Sequence, residues 1–306
     1  MRARFSLIVP TRKRPEKLAR FLDSVARTAA HPGRVEVVLV VDDDDRASCV
    51  SHPRLNVKQS LGAPGRTMGA LNNAGFAAST GDWVMLLNDD VILRAHGWDA
   101  IALKCAAKFP DPFVLLHVND TLIRHHLCVF PLVSRAFYEL CGEVCPAAYR
   151  RYRIDDHIED VFNLLAVCGE RRSVYLPDVI FEHDNATQHP EAGAVYESDP
   201  AILALDAPTF DALLPARKEL ALRVLKAIDP NADLNAARAK LAGVTDSFAI
   251  RTEGRQRVVR VPWWAPVRER AARELAALKR VRTKSVTEML RAIRKRLVPR
   301  AREVTP

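Results

Sequence analysis

The stretch Gly81-Asp82-Trp83-Val84-Met85-Leu86-Leu87-Asn88-Asp89-Asp90 constrains the fold more than any other part of the chain. Val84 to Leu87 is an unbroken apolar run of strand length. Such a run suits a strand covered on both faces, as in a parallel sheet between two layers of helices. It ends on an amide and two adjacent carboxylates, after which the apolar pattern resumes at Val91. Neighbouring carboxylates repel and resist desolvation, so a buried pair needs a compensating charge, and a divalent cation with oxygen ligands supplies one. A solvated acidic turn would carry the same letters, so the rest of the chain has to decide.

Phe5 to Val9 predicts a first buried strand, closed by Pro10-Thr11 and followed by Arg12, Lys13 and Arg14. Pro15 then opens a helix in which Leu18, Phe21, Leu22 and Val25 form one apolar face. Gly33 ends that unit, and Val35 to Val41 gives a second strand that closes on Asp42-Asp43-Asp44-Asp45. Strand, helix, strand with polar residues after each strand is a βαβ unit with a right-handed crossover. A third strand near Leu55-Asn56-Val57, a loop over 62–66 and a helix from Met68 to Ala78 lead to Gly81. Beyond the acidic pair come a helix from about Trp98 to Lys108 and a strand from Phe113 to Val118. An insert over 119–155 is less regular, and includes Phe130 to Ser134 and Tyr138 to Cys145. A helix from Asp155 to Val167 and a strand from Val174 to His183 follow, and from about Pro200 the pattern is helical. The expected class is α/β, with a mostly parallel sheet flanked by helices. Pro10-Thr11, Asp42-Asp43 and Asn88-Asp89-Asp90 all fall at strand C-termini, so they converge on one edge, where open α/β sheets hold ligands.

Those residues also carry a family resemblance. Ser6-Leu7-Ile8-Val9-Pro10-Thr11-Arg12, Val38-Leu39-Val40-Val41-Asp42-Asp43, Asn73-Ala74-Gly75 with Gly81-Asp82, and Asn88-Asp89-Asp90 occur in an order that resembles the GT-A, family-2-type glycosyltransferases. The resemblance runs over about residues 5–185. It implies a Rossmann-like nucleotide-binding domain over 1–200, beyond which the chain's own pattern marks a helical extension over 201–250 and a basic amphipathic tail over 251–306. It also implies transfer of a sugar from a nucleoside-diphosphate sugar to an acceptor hydroxyl, on a glycan or a lipid-linked acceptor, in glycan or surface polysaccharide synthesis. By resemblance, Pro10, Thr11, Arg12, Asp42, Asp43, Asn73 and Asp89 form the nucleotide pocket. The family's Asp-x-Asp motif falls on Asn88-Asp89-Asp90, so that Asp90, with Asn88 and a strand-end His183, would hold Mn²⁺ or Mg²⁺. Asn88 stands where the family has an acid, which leaves the site one charge short.

The chemistry requires such parts. Displacing a nucleoside diphosphate from an anomeric carbon builds charge on the leaving oxygen, which a Lewis-acidic cation stabilises, and the acceptor hydroxyl needs a proton acceptor on the opposite side. Glu159-Asp160 resembles the Glu-Asp pair that family members place beside the acceptor. Asp160 is the first choice as base, for an inverting in-line displacement. Asp156, one helical turn earlier, is its rival, and Asp155 can cap the helix. A sugar-nucleotide nucleotidyltransferase and a non-catalytic sugar-nucleotide or membrane-binding module are the alternative readings. No Gly-rich phosphate loop follows the first strand to support the former.

Charge is unevenly distributed. Of the chain's 46 Lys/Arg and 37 Asp/Glu, 17 and 5 fall in residues 251–306, so the first 250 hold 29 basic against 32 acidic groups. A slightly acidic body thus carries a strongly basic tail, whose partner would be polyanionic. Val286, Met289, Leu290, Ile293 and Leu297 share one helical face among arginines, with Trp263-Trp264 ahead of them. That pattern suits an anionic membrane surface through residues 262–306, and equally a helix packed on the body or on a partner. No motif points to nucleic acid. With no apolar run of spanning length and no leader-like start, the expected location is cytoplasmic, peripheral on the inner face of the membrane if the tail binds it. The six cysteines read as reduced thiols.

Overall fold

The computed structural model describes residues 5–183, 200–245 and 257–258. The tail's Trp263-Trp264 and its amphipathic stretches lie outside the described residues. Nine strands are present among those described: β1 (Phe5–Thr11), β2 (Val35–Asp42), β3 (Asn56–Gly62), β4 (Trp83–Leu86), β5 (Val91–Leu93), β6 (Leu115–Asn119), β7 (Pro131–Ser134), β8 (Ser173–His183) and β9 (Arg257–Val258). The helices are α1 (Pro15–Thr28), α2 (Met68–Ala78), α3 (Trp98–Ala106), α4 (Arg135–Cys141), α5 (Ile154–Cys168), α6 (Pro200–Ala212), α7 (Leu214–Ile228) and α8 (Leu234–Ala242). The sheet runs β3-β2-β1-β4-β7-β6-β8-β5, with β9 beside β8. The pairs β3–β2, β2–β1, β1–β4, β6–β8 and β8–β9 are parallel, while β4–β7, β7–β6 and β8–β5 are antiparallel. This is the mostly parallel α/β sheet that the apolar runs predict.

The sheet is covered on both faces, as a run such as Val84 to Leu87 requires. Alternate residues of β1 divide between two cores: Leu7 and Val9 face Leu18, Phe21 and Trp98, while Ile8 faces the layer that holds Phe137, Ile158 and Phe162. The second core continues into the helical extension through Phe210, Leu220, Val224 and Leu241. Trp98 is a packing residue, edge-on to Phe5 at 5.1 Å and to Phe181 at 5.5 Å.

Two glycines mark close approaches. A Cβ on Gly75 would stand 2.4 Å from Ile8 Cγ2 and 2.8 Å from Val40 Cγ2, so α2 lies directly on β1 and β2. A Cβ on Gly81 would stand 2.5 Å from Ser6 Oγ. Here the Gly81 N–H donates to Ser6 Oγ at 2.7 Å, and Ser6 Oγ donates at 2.5 Å to the buried Glu36, which also pairs with Lys58 at 2.8 Å. That network ties β4 to β1 and β2 at the edge remote from the acidic strand ends.

The insert is more regular than the sequence pattern predicts. Pro131–Ser134 is a buried strand between β4 and β6, too short to show a period and opened by a proline where a strand tolerates one. Ser134 then caps α4, its side chain accepting from the Phe137 N–H, and Gly142 closes that helix with φ 88°.

Candidate active site

The C-terminal ends of β2, β1 and β4 lie side by side and open into a cleft of about 1300 Å³. Pro10, Thr11, Arg12, Asp42, Asn88, Asp89, Asp90, Asp156 and His183 all line it. Among the described residues, four that are not glycine have left-handed backbone, Lys13 (φ 54°), Thr121 (72°), Arg124 (58°) and Arg153 (70°). Each is in the cleft lining or next in sequence to a residue that is. Strained backbone of this kind gathers where surrounding structure fixes a functional surface.

On the β1–β2 side, Arg12 donates to Asp42 at 2.5 Å and reaches Asp44 with both terminal nitrogens, at 2.7 and 2.8 Å. Arg66, from the loop before α2, donates to Asp42 at 3.4 Å and to the Val41 carbonyl at 3.2 Å. Asp42 is thus gripped by two guanidinium groups at the cleft wall. Asp43 is exposed and does not line the cleft; its N–H closes on the Gly62 carbonyl at 2.9 Å. Asn73 does not line it either. Its amide holds the 143–145 segment, donating to the Cys145 carbonyl at 2.8 Å and accepting from the Val144 N–H at 2.9 Å. Asn72, one residue earlier, lines the cleft in its place.

Asp89 is buried and Asp90 half-buried, and the pair's counter-charge is a residue that sequence reasoning missed. Arg14 places Nη2 3.0 Å from Asp89 and Nη1 3.2 Å from Asp90. Thr11 Oγ1 donates to Asp89 at 2.7 Å. Burial pushes Asp89 up to about 6 against the opposing pull of Arg14 and Thr11. Burial also works on Asp90, but there the His183 imidazole and the Arg14 guanidinium outweigh it and hold the group below its ordinary range. His183 Nε2 stands 3.3 Å from Asp90 Oδ1, yet this buried oxygen accepts no well-aligned hydrogen bond. Asn88 Nδ2 lies 3.3 Å from the same imidazole nitrogen.

The donor set suits a divalent cation that takes only part of its shell from the protein. Among the described residues no group of three or more His, Cys, Asp and Glu is placed to hold a metal. Asp90, with a buried oxygen that accepts no well-aligned hydrogen bond, and His183 make two ligands, and Asn88 offers an amide. A site of one or two carboxylates completed by phosphate oxygens and water is how Mg²⁺ is commonly held in phosphate chemistry. Asp89 is committed to Thr11 and Arg14, so it fits an orienting role better than a ligand role.

Helix α5 reaches the same cleft with its first turn. Asp155 and Asp156 occupy its first turn and line the cleft, Asp156 with Arg153 Nη1 at 3.4 Å. Asp160 is one turn deeper and does not line it. Its Oδ2 accepts from Arg217 Nε at 2.6 Å, and both side chains are buried. Glu159 is turned into the body as well, accepting from the Cys128 N–H at 2.8 Å. Spacing could relate Asp156 to Asp160 as neighbours on one helix face; it could not show that an arginine 57 residues on claims the second. Asp120, Arg151, Tyr152 and Arg153 also line the cleft, from an insert whose sequence shows no period.

Residues 3–100, which hold Arg12, Asp42 and the acidic pair, match the family described as "Glycosyltransferase like family 2". The match covers about a third of the chain, from before β1 to the start of α3. Among solved structures the chain is similar to a mannosyltransferase from Pyrobaculum calidifontis, in complex with GDP-Man and Mn²⁺, at 19% identity over 82% of this chain and 85% of that one, with a TM-score of 0.49. It is also similar to residues 1–349 of S. aureus TarS in complex with UDP-GlcNAc, at 19% identity over 78% and 70% of the two chains, with a TM-score of 0.45. No curated protein sequence matches. The matched segment ends before α5 and so does not include Asp156.

Proposed function

We propose that this protein transfers a sugar from a nucleoside-diphosphate sugar to an acceptor hydroxyl, with inversion at the anomeric carbon. The observation that carries the proposal is the meeting, in one cleft, of the β1–β2–β4 strand ends with their acids and the first turn of α5 with Asp156. Arg12, Thr11 and Asp42 line the nucleotide side. Asp90, His183 and Asn88 are the residues that would hold Mn²⁺ or Mg²⁺, which when bound stabilises charge on the leaving diphosphate. Arg14 keeps the two neighbouring carboxylates oriented. Asp156 is assigned as the base that takes the acceptor hydroxyl's proton, in place of the buried Asp160. No helix among the described residues is long and apolar enough to cross a membrane. Association of the 262–306 tail with an anionic surface stays a proposal, checked by liposome flotation of the chain with and without that segment.

The test is a thermal-shift screen of UDP-, GDP- and dTDP-sugars with and without Mn²⁺. A stabilisation by one nucleotide class, enlarged by Mn²⁺ and lost in Asp90→Asn, is the expected result. Binding that ignores both EDTA and Asp90→Asn would leave a nucleotide-binding module without this chemistry.

A further inference from the structure

Helix α6 belongs to the extension, yet one of its carboxylates is spent entirely on the cleft. Asp206 is buried, and its oxygens accept three consecutive backbone N–H groups, from Arg150 at 2.9 Å, Arg151 at 2.9 Å and Tyr152 at 2.8 Å. A buried carboxylate is costly unless dedicated donors meet it, and charge-assisted bonds of this kind fix geometry as well as energy. The segment held in this way is the one that enters α5. Arg151, Tyr152 and Arg153 line the cleft, Arg153 with a left-handed backbone, and Asp155 and Asp156 follow at once. One turn before Asp206 on the same helix, Leu203 lines that cleft while 41% exposed. One turn after it, the Phe210 ring lies 3.7 Å beneath the Arg217 guanidinium, and the Phe210 carbonyl accepts from Arg217 Nη1 at 2.5 Å. Arg217 is the partner of Asp160. Helix α6 is therefore fastened to both sides of Asp156, through Asp206 to the segment before it and through Phe210 and Arg217 to the turn after it.

A carboxylate that merely satisfies a turn is common, but it normally comes from the turn itself. This one comes from 54 to 56 residues away and from a helix that lines the same cleft. We propose that α6 is the acceptor-side wall of the cleft, and that Asp206 is a positioning residue which fixes the Arg151–Arg153 segment and, through it, the carboxylate of Asp156. The proposal rests on the sugar-transfer reading for what the positioning serves, though not for the positioning itself.

Asp206→Ala and Asp206→Asn in the full chain test it. Hydrogen–deuterium exchange of residues 147–156 is followed together with binding of UDP and GDP in Mn²⁺ and with turnover of their sugar nucleotides. In Asp206→Ala the amides of 150–152 should exchange at least tenfold faster, with those of β1, β2 and β4 unchanged. Nucleotide binding should hold within twofold while kcat falls tenfold or more. Asp206→Asn, which keeps an acceptor oxygen, should recover part of both losses. Unchanged protection at 150–152, a uniform rise across the sheet, or faster exchange with an unaltered kcat would each overturn the positioning role. A wild type that turns over no sugar nucleotide sinks the sugar-transfer reading alone, and the exchange contrast then decides the role of Asp206 by itself.

Discussion

Two aspartates one helical turn apart in α5 face different surroundings. Asp156 meets the cleft, whereas Asp160 is salt-bridged to a buried arginine. The same substitution should therefore produce two kinds of damage. Asp156→Asn preserves shape and removes a proton acceptor, so transfer should fall by roughly 10²–10⁴, the usual worth of a general base, with nucleotide affinity and melting temperature near wild type. Asp160→Ala takes the carboxylate from a buried guanidinium. Breaking such a pair costs about 3–5 kcal/mol, so the loss should appear in urea denaturation before it appears in kinetics. Stable Asp160→Ala protein with normal nucleotide binding and no transfer would return the base to Asp160. Arg14 shows how far residue-level reasoning from sequence reaches. Burial of the acidic pair implies a counter-charge, and the pair's adjacency suggests a metal. That an arginine at the start of α1 supplies part of that charge depends on β1 and β4 being neighbours.

At the scale of elements, α2 lines the cleft beside the strand ends proposed to bind nucleotide, and Gly75 sets the distance of α2 from the sheet. Gly75→Ala gains helix propensity of about 1 kcal/mol but drives a methyl into Ile8 and Val40, and overpacking of this kind costs about 1–3 kcal/mol. The expected result is a net loss of stability with a weaker nucleotide-induced thermal shift, because Met68, Leu71 and Asn72 move with the helix. A variant as stable as wild type would mean that α2 can lift without cost. The elements on this side of the cleft were legible for a physical reason. β1, α1 and β2 are long enough, and buried enough, for their pattern to show in the letters, β4 is marked by the acids that end its apolar run, and their order alone brings three polar strand ends together. Of the far wall only α5, with Asp156, was legible. β7 has four residues, and α4 is defined by its caps more than by its face. The 150–153 segment takes its shape from Asp206, so no local pattern could announce it.

For the whole molecule, acid should unfold the protein through its buried histidines. Burial lowers His117 to about 4 and His157 to about 3, so both stay neutral in the native state well below the pH at which an unfolded histidine takes up a proton, about 6.5. Between those limits the unfolded chain binds more protons than the folded one, and stability falls as pH falls. At pH 5 each histidine contributes a loss of about 2 kcal/mol relative to pH 7 or above. Asp89 works in the opposite direction. Raised to about 6, it takes its proton earlier in the native state and returns about 1.4 kcal/mol at pH 5. The net expectation is a decline of about 2–3 kcal/mol between pH 7 and pH 5 in the urea-unfolding free energy. His157→Gln can keep a hydrogen bond to Tyr149 Oη, which stands 3.0 Å from His157 Nδ1. It should flatten the decline by close to one proton between pH 6 and pH 4. If that variant retains the full wild-type slope, His157 is protonated in the folded state, and the dry second core that joins α5 to the helical extension is open to water at this point.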